Sequence, residues 1–136
     1  MNKNYSALTL DELPKRLSSI TAITDQIGTD FSKWRVTEVG DGNLNLVFIV
    51  IGSNGKIVIK QALPYVRVVG DSWPLTLDRA FFEYNALVRQ EERDPGIAPS
   101  VFYFDREQGL IAMECLDNHK ILRGKLIAGE KVLNLG

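Results

Sequence analysis

The 136-residue chain has one cysteine, Cys115, and one histidine, His119. A single thiol excludes an internal disulfide and a zinc site built on several cysteines. A single imidazole argues against a His-rich metal site and a Ser-His relay. No run of apolar residues is long enough to span a bilayer, and no secretory signal opens the chain. Charge of one sign is also missing: 16 Lys and Arg face 17 Asp and Glu. That balance gives no electrostatic reason to expect nucleic acid or an anionic membrane as partner. The remainder is ordinary for a cytoplasmic globular domain, with 45% hydrophobic and 24% charged residues. The length suits one domain with a real core. There is no internal repeat and no low-complexity tract.

Hydrophobic periodicity predicts an amino-terminal helix over about 6–23, with Leu8, Leu10, Leu13, Leu17 and Ile20 at helical spacing. Ser6 and Thr9 are candidate caps. Pro14 conflicts with a helix that is already under way, so a start near Leu13, capped by Asp11, is the alternative. Strands are expected at 34–40, 44–51 and 56–62, the last two joined by the turn Gly52-Ser53-Asn54-Gly55. The proline- and glycine-containing stretch from Pro64 to Thr76 reads as an ordered loop. Leu77, Ala80, Phe81, Tyr84, Leu87 and Val88 mark a helix over 77–93, ended by Asp94-Pro95-Gly96. A hairpin over 101–116 follows, then a linker and a short amphipathic piece over 121–128. Helix, three strands, helix and two strands make an α+β fold around a mostly antiparallel sheet of about five strands.

Three features along this order carry chemistry. "VGDGNLNLVF", residues 39–48, is a strand, a glycine turn and a strand. Gly40 and Gly42 allow backbone amides to approach an anion, and Asn43 and Asn45 add amide donors. A plain hairpin turn accounts for the glycines equally well. Lys60 sits among Ile57, Val58, Ile59 and Ala62; it is either a snorkelling edge lysine or a phosphate ligand held by a carboxylate. Glu83 lies on or beside the apolar face of the 77–93 helix, solvated or paired with that lysine. Glycine loop, strand lysine and helix glutamate, in this order, match the amino-terminal lobe of protein-kinase-like enzymes. "MECLD", from Met113, falls where such a lobe places its adenine hinge.

The segments "EVGDGNLNLVF", "IVIKQALPYVRVVGDSWPLTLDRAFFE" and "MECLDNHKILRGKLI" closely resemble the methylthioribose kinases. The resemblance runs from about Glu38 to Ala128. It implies an ATP- and Mg2+-dependent enzyme of methionine salvage that phosphorylates 5-methylthioribose at its 1-hydroxyl. By the same resemblance Asp41, Gly42, Asn43, Leu44 and Asn45 form the nucleotide-covering loop, with Asn45 an ATP contact. Lys60 is the phosphate lysine and Glu83 its ion-pair partner. Glu114, Cys115 and Leu116 form the adenine hinge through backbone groups. Trp73, in a loop that resembles one near the substrate sugar, is the substrate-binding candidate. Asn45 stands where protein kinases have a third glycine, in agreement with the methylthioribose kinases. Cys115 departs from the usual aspartate of the family's hinge. A backbone contact tolerates that change, and the thiol is expected to be inert.

The family's catalytic loop and metal-binding carboxylates belong to a larger carboxy-terminal lobe, and no such run occurs here. The expectation is therefore a kinase-like amino-terminal lobe over 1–116, with the hinge and the start of a second lobe over 117–136. Catalytic residues and metal ligands are then expected outside this chain, which alone would lack activity. It would bind nucleotide weakly and self-associate through its exposed apolar face. The full-length enzyme is expected to be a homodimer. The alternatives are another small-molecule kinase, of the choline or aminoglycoside type, and a non-catalytic nucleotide-binding module.

Overall fold

A computed structural model describes residues 4–40 and 42–133. Two short helices come first, α1 (Leu13–Leu17) and α2 (Thr21–Ile27). Strands β1 (Arg35–Glu38), β2 (Asn45–Ile51) and β3 (Lys56–Ala62) follow, then the small β4 (Tyr65–Val66) and β5 (Gly70–Pro74). Helix α3 (Asp78–Arg93), strands β6 (Val101–Asp105) and β7 (Leu110–Glu114) and helix α4 (Leu122–Ile127) complete the order. The main sheet is antiparallel, in the order β1-β2-β3-β7-β6, while β4 and β5 pair separately. This is the expected α+β class with a five-stranded sheet.

Two expectations need correction. The amino-terminal segment is not one helix over 6–23. Pro14 occupies the first turn of α1, where its missing N–H costs nothing, and so fixes the start at Leu13. Asp11 does not cap it: the N-cap is Glu12, which makes no side-chain cap bond, and the Thr9 hydroxyl closes the turn ahead of the helix, accepting from the Glu12 N–H at 3.3 Å and donating to its carboxylate at 3.2 Å. Ile20 is extended and separates α1 from α2. The second correction concerns Pro64 to Thr76, read as a loop. Val66 and Gly70 close a tight connection, with Gly70 at φ 72°, and Tyr65 pairs with Pro74. Prolines flank this ribbon because an edge position needs no ladder N–H.

Alternation divides the main sheet into two faces. Leu46, Phe48 and Val50 of β2 and Ile57 and Ile59 of β3 point one way and are buried. They form one core with Leu8, Leu13, Leu17, Ile23, Ile27 and Trp34 from the amino-terminal segment. Gln61, fully buried on this face, ties that segment down. Its amide donates to the carbonyls of Ser6 (3.1 Å) and Gln108 (3.2 Å), and its oxygen accepts from the Leu8 N–H at 2.7 Å. The approach is close at Gly52 as well, where a Cβ would collide with the Ile27 carbonyl.

The opposite face carries Asn45, Val47, Ile49, Val58 and Lys60, all only half-buried. Helix α3 packs at its β6 end. Tyr84 stacks on Phe104 with ring centroids 4.4 Å apart, and Arg106 lies 4.2 Å over the Phe81 ring.

Candidate functional site

The half-buried face gathers several of the expected residues. Val47 stands opposite Lys60 across the β2–β3 ladder, and Ile49 stands opposite Val58. Asn45 shares this face two residues from Val47, so it is a diagonal neighbour of Lys60. Lys60 reaches α3, where its ammonium lies 2.6 Å from the Glu83 carboxylate. The two side chains keep 26% and 35% of their exposure. Water screens a pair that open, so its contribution to stability is small. What the short charge-assisted contact does is hold the ammonium in one place over the sheet. An ammonium has three donors, and Glu83 Oε1 takes one of them.

The turn before β2 approaches from the side. Gly40 adopts φ 84°, a conformation that favours glycine, and a Cβ on Gly42 would come within 2.6 Å of the Asn45 carbonyl. The glycines are therefore required by the shape of the turn itself. Asp41 lies outside the described residues. The Asn43 carbonyl accepts the Arg67 N–H at 2.7 Å, the Leu44 carbonyl accepts the Leu63 N–H at 3.0 Å, and Arg67 pairs with Glu38 at 2.9 Å. The ribbon β4–β5 thus grips the turn from outside, a role that sequence reading did not assign to Arg67.

Glu114 ends β7 opposite Ile57, and the ladder stops there. Its N–H donates to the Ser100 carbonyl at 2.8 Å, and its carboxylate accepts the Ser100 N–H at 3.1 Å. Cys115 and Leu116 continue past the last pair. Asp117, also missed in the sequence, shapes this segment. Lys56 donates to it at 2.7 Å, and the Cys115 thiol approaches it at 3.5 Å. The Lys56 contact holds the Asp117 carboxyl below its ordinary range, and the same contact raises the lysine. Burial first, and the Asp117 carboxylate second, push the Cys115 thiol up. A raised thiol is a poor nucleophile at neutral pH, as expected for an inert cysteine.

Trp73 lies elsewhere. It is 59% exposed on β5, in the two-stranded sheet and not on the face of Lys60. A cavity of about 550 Å3 opens among Pro64, Asp71, Leu75, Asp78 and Arg106, and none of the expected site residues lines it. Arg106 is already bound there to Asp78 at 3.0 Å. Among the described residues no helix is long and apolar enough to cross a membrane, and no group of three or more His, Cys, Asp or Glu is placed to hold a metal ion.

No protein-family model matches the chain. It is 50% identical over 129 residues to a methylthioribose kinase from Escherichia coli O45:K1, which covers 93% of this chain and 30% of that protein. Methylthioribose kinase 1 of Oryza sativa is 46% identical over 123 residues, 88% of this chain and 29% of the relative. A methylthioribose kinase of Bacillus velezensis is 46% identical over 122 residues, 87% of this chain and 31% of the relative. The chain therefore spans about 30% of the length of the curated relatives it matches. In sequence, the chain is a relative of the methylthioribose kinases.

Proposed function

We propose that this chain is the nucleotide-binding lobe of an ATP-dependent kinase for 5-methylthioribose, with the lobe over 1–116 and the hinge and the start of a second lobe over 117–136. The single observation that carries the reading is the 2.6 Å Lys60–Glu83 pair, on the face that also bears Asn45. A fixed ammonium with donors left over is what phosphate oxygens require. Val47, Ile49 and Val58 offer a half-buried apolar bed of the kind a purine ring covers. The peptide groups of Glu114, Cys115 and Leu116 lie at the end of the ladder, where an adenine edge would find donors and acceptors. The glycine turn with Asn43 covers the phosphates, and Asn45 adds an amide donor.

ATP supplies the phosphoryl group, and Mg2+ neutralises phosphate charge, with metal ligands that we assign to the remainder of the enzyme. Lys60 orients the phosphates and Glu83 keeps Lys60 in register. The methylthioribose specificity rests on the likeness to the named relatives, and transfer to its 1-hydroxyl is the part of the proposal that the sequence resemblance implies. Trp73 contributes to the sugar side in this reading. A homodimeric enzyme working in the cytoplasm completes it.

Titration calorimetry with Mg-ATP tests the site. Lys60→Ala is expected to weaken binding at least about tenfold, the loss of one hydrogen bond to a charged group. Glu83→Gln is expected to weaken it less, because the lysine remains but is no longer held. Equal affinity in wild type and Lys60→Ala would remove the nucleotide assignment.

A further inference from the structure

Arg79 lies one residue past the start of α3, four before Glu83, and takes no part in the site as described so far. Its guanidinium nevertheless touches three segments. Nη2 donates to the carbonyl of Leu44 at 3.1 Å and to that of Leu63 at 3.0 Å, and Nε donates to the carbonyl of Thr76 at 3.2 Å. Leu44 immediately precedes Asn45 in the glycine turn. Leu63 follows β3 three residues after Lys60. Thr76 leads into the helix of Glu83. Among the described residues every hydrogen bond of Arg79 runs to a carbonyl oxygen and none to a carboxylate.

We propose that Arg79 is a positioning residue that binds the nucleotide turn, the end of the lysine strand and the start of the glutamate helix into one unit. The inference rests on the nucleotide-site reading above and adds the element that keeps its parts in register. Asn45, Lys60 and Glu83 belong to three different elements, β2, β3 and α3. The Lys60–Glu83 contact joins two of them. The Leu63 N–H already bonds the Leu44 carbonyl at 3.0 Å, which joins the turn to β3 but not to α3. Among the described residues Arg79 is the hydrogen-bonded link from the turn to the helix. A planar fork presents donors from separate nitrogens in fixed directions, whereas a lysine offers its three from one nitrogen at the end of a flexible stem. Arg79→Lys therefore keeps the charge and loses the clamp.

Two measurements on the chain test this: hydrogen exchange of segment 42–46 and Mg-ATP affinity by calorimetry. Arg79→Ala and Arg79→Lys are both expected to fold, to exchange this segment at least about tenfold faster, and to bind ATP about tenfold more weakly. Lys60→Ala is expected to lose ATP affinity with wild-type exchange in the same segment. Wild-type exchange at 42–46 in Arg79→Ala overturns the clamp, and so does full rescue by Arg79→Lys. Faster exchange with unchanged ATP affinity overturns its part in binding. If Lys60→Ala binds ATP normally, the nucleotide reading fails on its own, and exchange alone then decides whether the clamp exists. Should Arg79→Ala not fold, Arg79→Gln, which removes the fork but retains a donor, carries the same readouts.

Discussion

Ile59 and Lys60 are consecutive on β3 and face opposite worlds. Ile59 is wholly buried in the core that also holds Leu8 and Leu13, while Lys60 keeps a quarter of its exposure and touches α3 through one carboxylate. The first face is held by packing, and its fully buried polar residue, Gln61, has hydrogen-bond partners at both ends of its amide. The second is held by charge and directed hydrogen bonds: Lys60 to Glu83, Arg79 to three carbonyls. A surface that admits a polyanionic ligand, as proposed for this one, cannot be filled with side chains beforehand. On that reading stability is concentrated behind the sheet and recognition in front of it.

The sharpest way to break this contrast is to truncate one apolar side chain on each face. Ile59→Ala is expected to cost about 2–5 kcal/mol, the usual range for a buried large-to-small change. Val58→Ala, one residue earlier on the half-buried face, is expected to cost about 1 kcal/mol or less. Urea unfolding midpoints at constant slope measure both. Equal costs would mean that the front face is packed as tightly as the back.

Gln61→Ala comes next. It strands the buried Leu8 N–H and removes the partner of the part-buried Ser6 and Gln108 carbonyls, at an expected cost of about 1–3 kcal/mol. Hydrogen exchange should then rise over 4–9 before it rises in β2. If exchange there stays at the wild-type rate, Gln61 does not anchor that segment.

The two faces were unequally legible in the sequence. Leu46 to Ile51 is a continuous apolar run that marks a strand without marking its faces; in Lys56 to Ala62, Ile57 and Ile59 alternate with Val58 and Lys60, and the fold shows that the first pair faces the filled side. Glycine turn, Lys60 and Glu83 were legible as an ordered set, since each residue type is conspicuous where it stands. Arg67, Arg79 and Asp117 were not. They act on backbone carbonyls or on one distant side chain, and such contacts leave no spacing in the sequence. The ribbon β4–β5 was hidden for a related reason: two- and five-residue strands are too short to show a period, and Pro64 and Pro74 read as breakers. The break between α1 and α2 was masked by apolar residues that continue at near-helical spacing through Ser18 and Ser19.

A smaller effect probes the back face by pH. The Tyr5 hydroxyl donates to the Ala62 carbonyl at 3.0 Å, and burial, aided by Tyr65, pushes its pKa from 10.0 up to about 12. Between pH 10 and 12 the folded state keeps this proton and the unfolded state loses it. Stability from Tyr5 is thus complete below pH 10 and is lost as the pH rises toward 12. Tyr5→Phe should cost about 0.5–1.5 kcal/mol at neutral pH. The wild-type advantage over Tyr5→Phe should shrink above pH 10; a constant difference up to pH 12 would contradict the buried phenol.

The least perturbing test sits at the end of the front face and reads reactivity in place of stability. Cys115 is held protonated first by burial and then by the Asp117 carboxylate, whose effect Lys56 partly offsets. Asp117→Asn removes the carboxylate and frees the Lys56 ammonium, and both changes lower the thiol. Burial, the largest cause, stays. Alkylation by iodoacetamide at pH 8 should therefore speed up only by roughly threefold, in proportion to the thiolate fraction. Lys56→Ala should leave the rate near or below that of wild type, because it removes the one group that favours the thiolate. Melting temperatures of both variants should stay close to wild type, since the Lys56–Asp117 pair is open to water. A large drop in melting temperature, or slower alkylation of Asp117→Asn, would mean that this edge is held by packing after all, and the division between a packed back and a charge-held front would end short of Cys115.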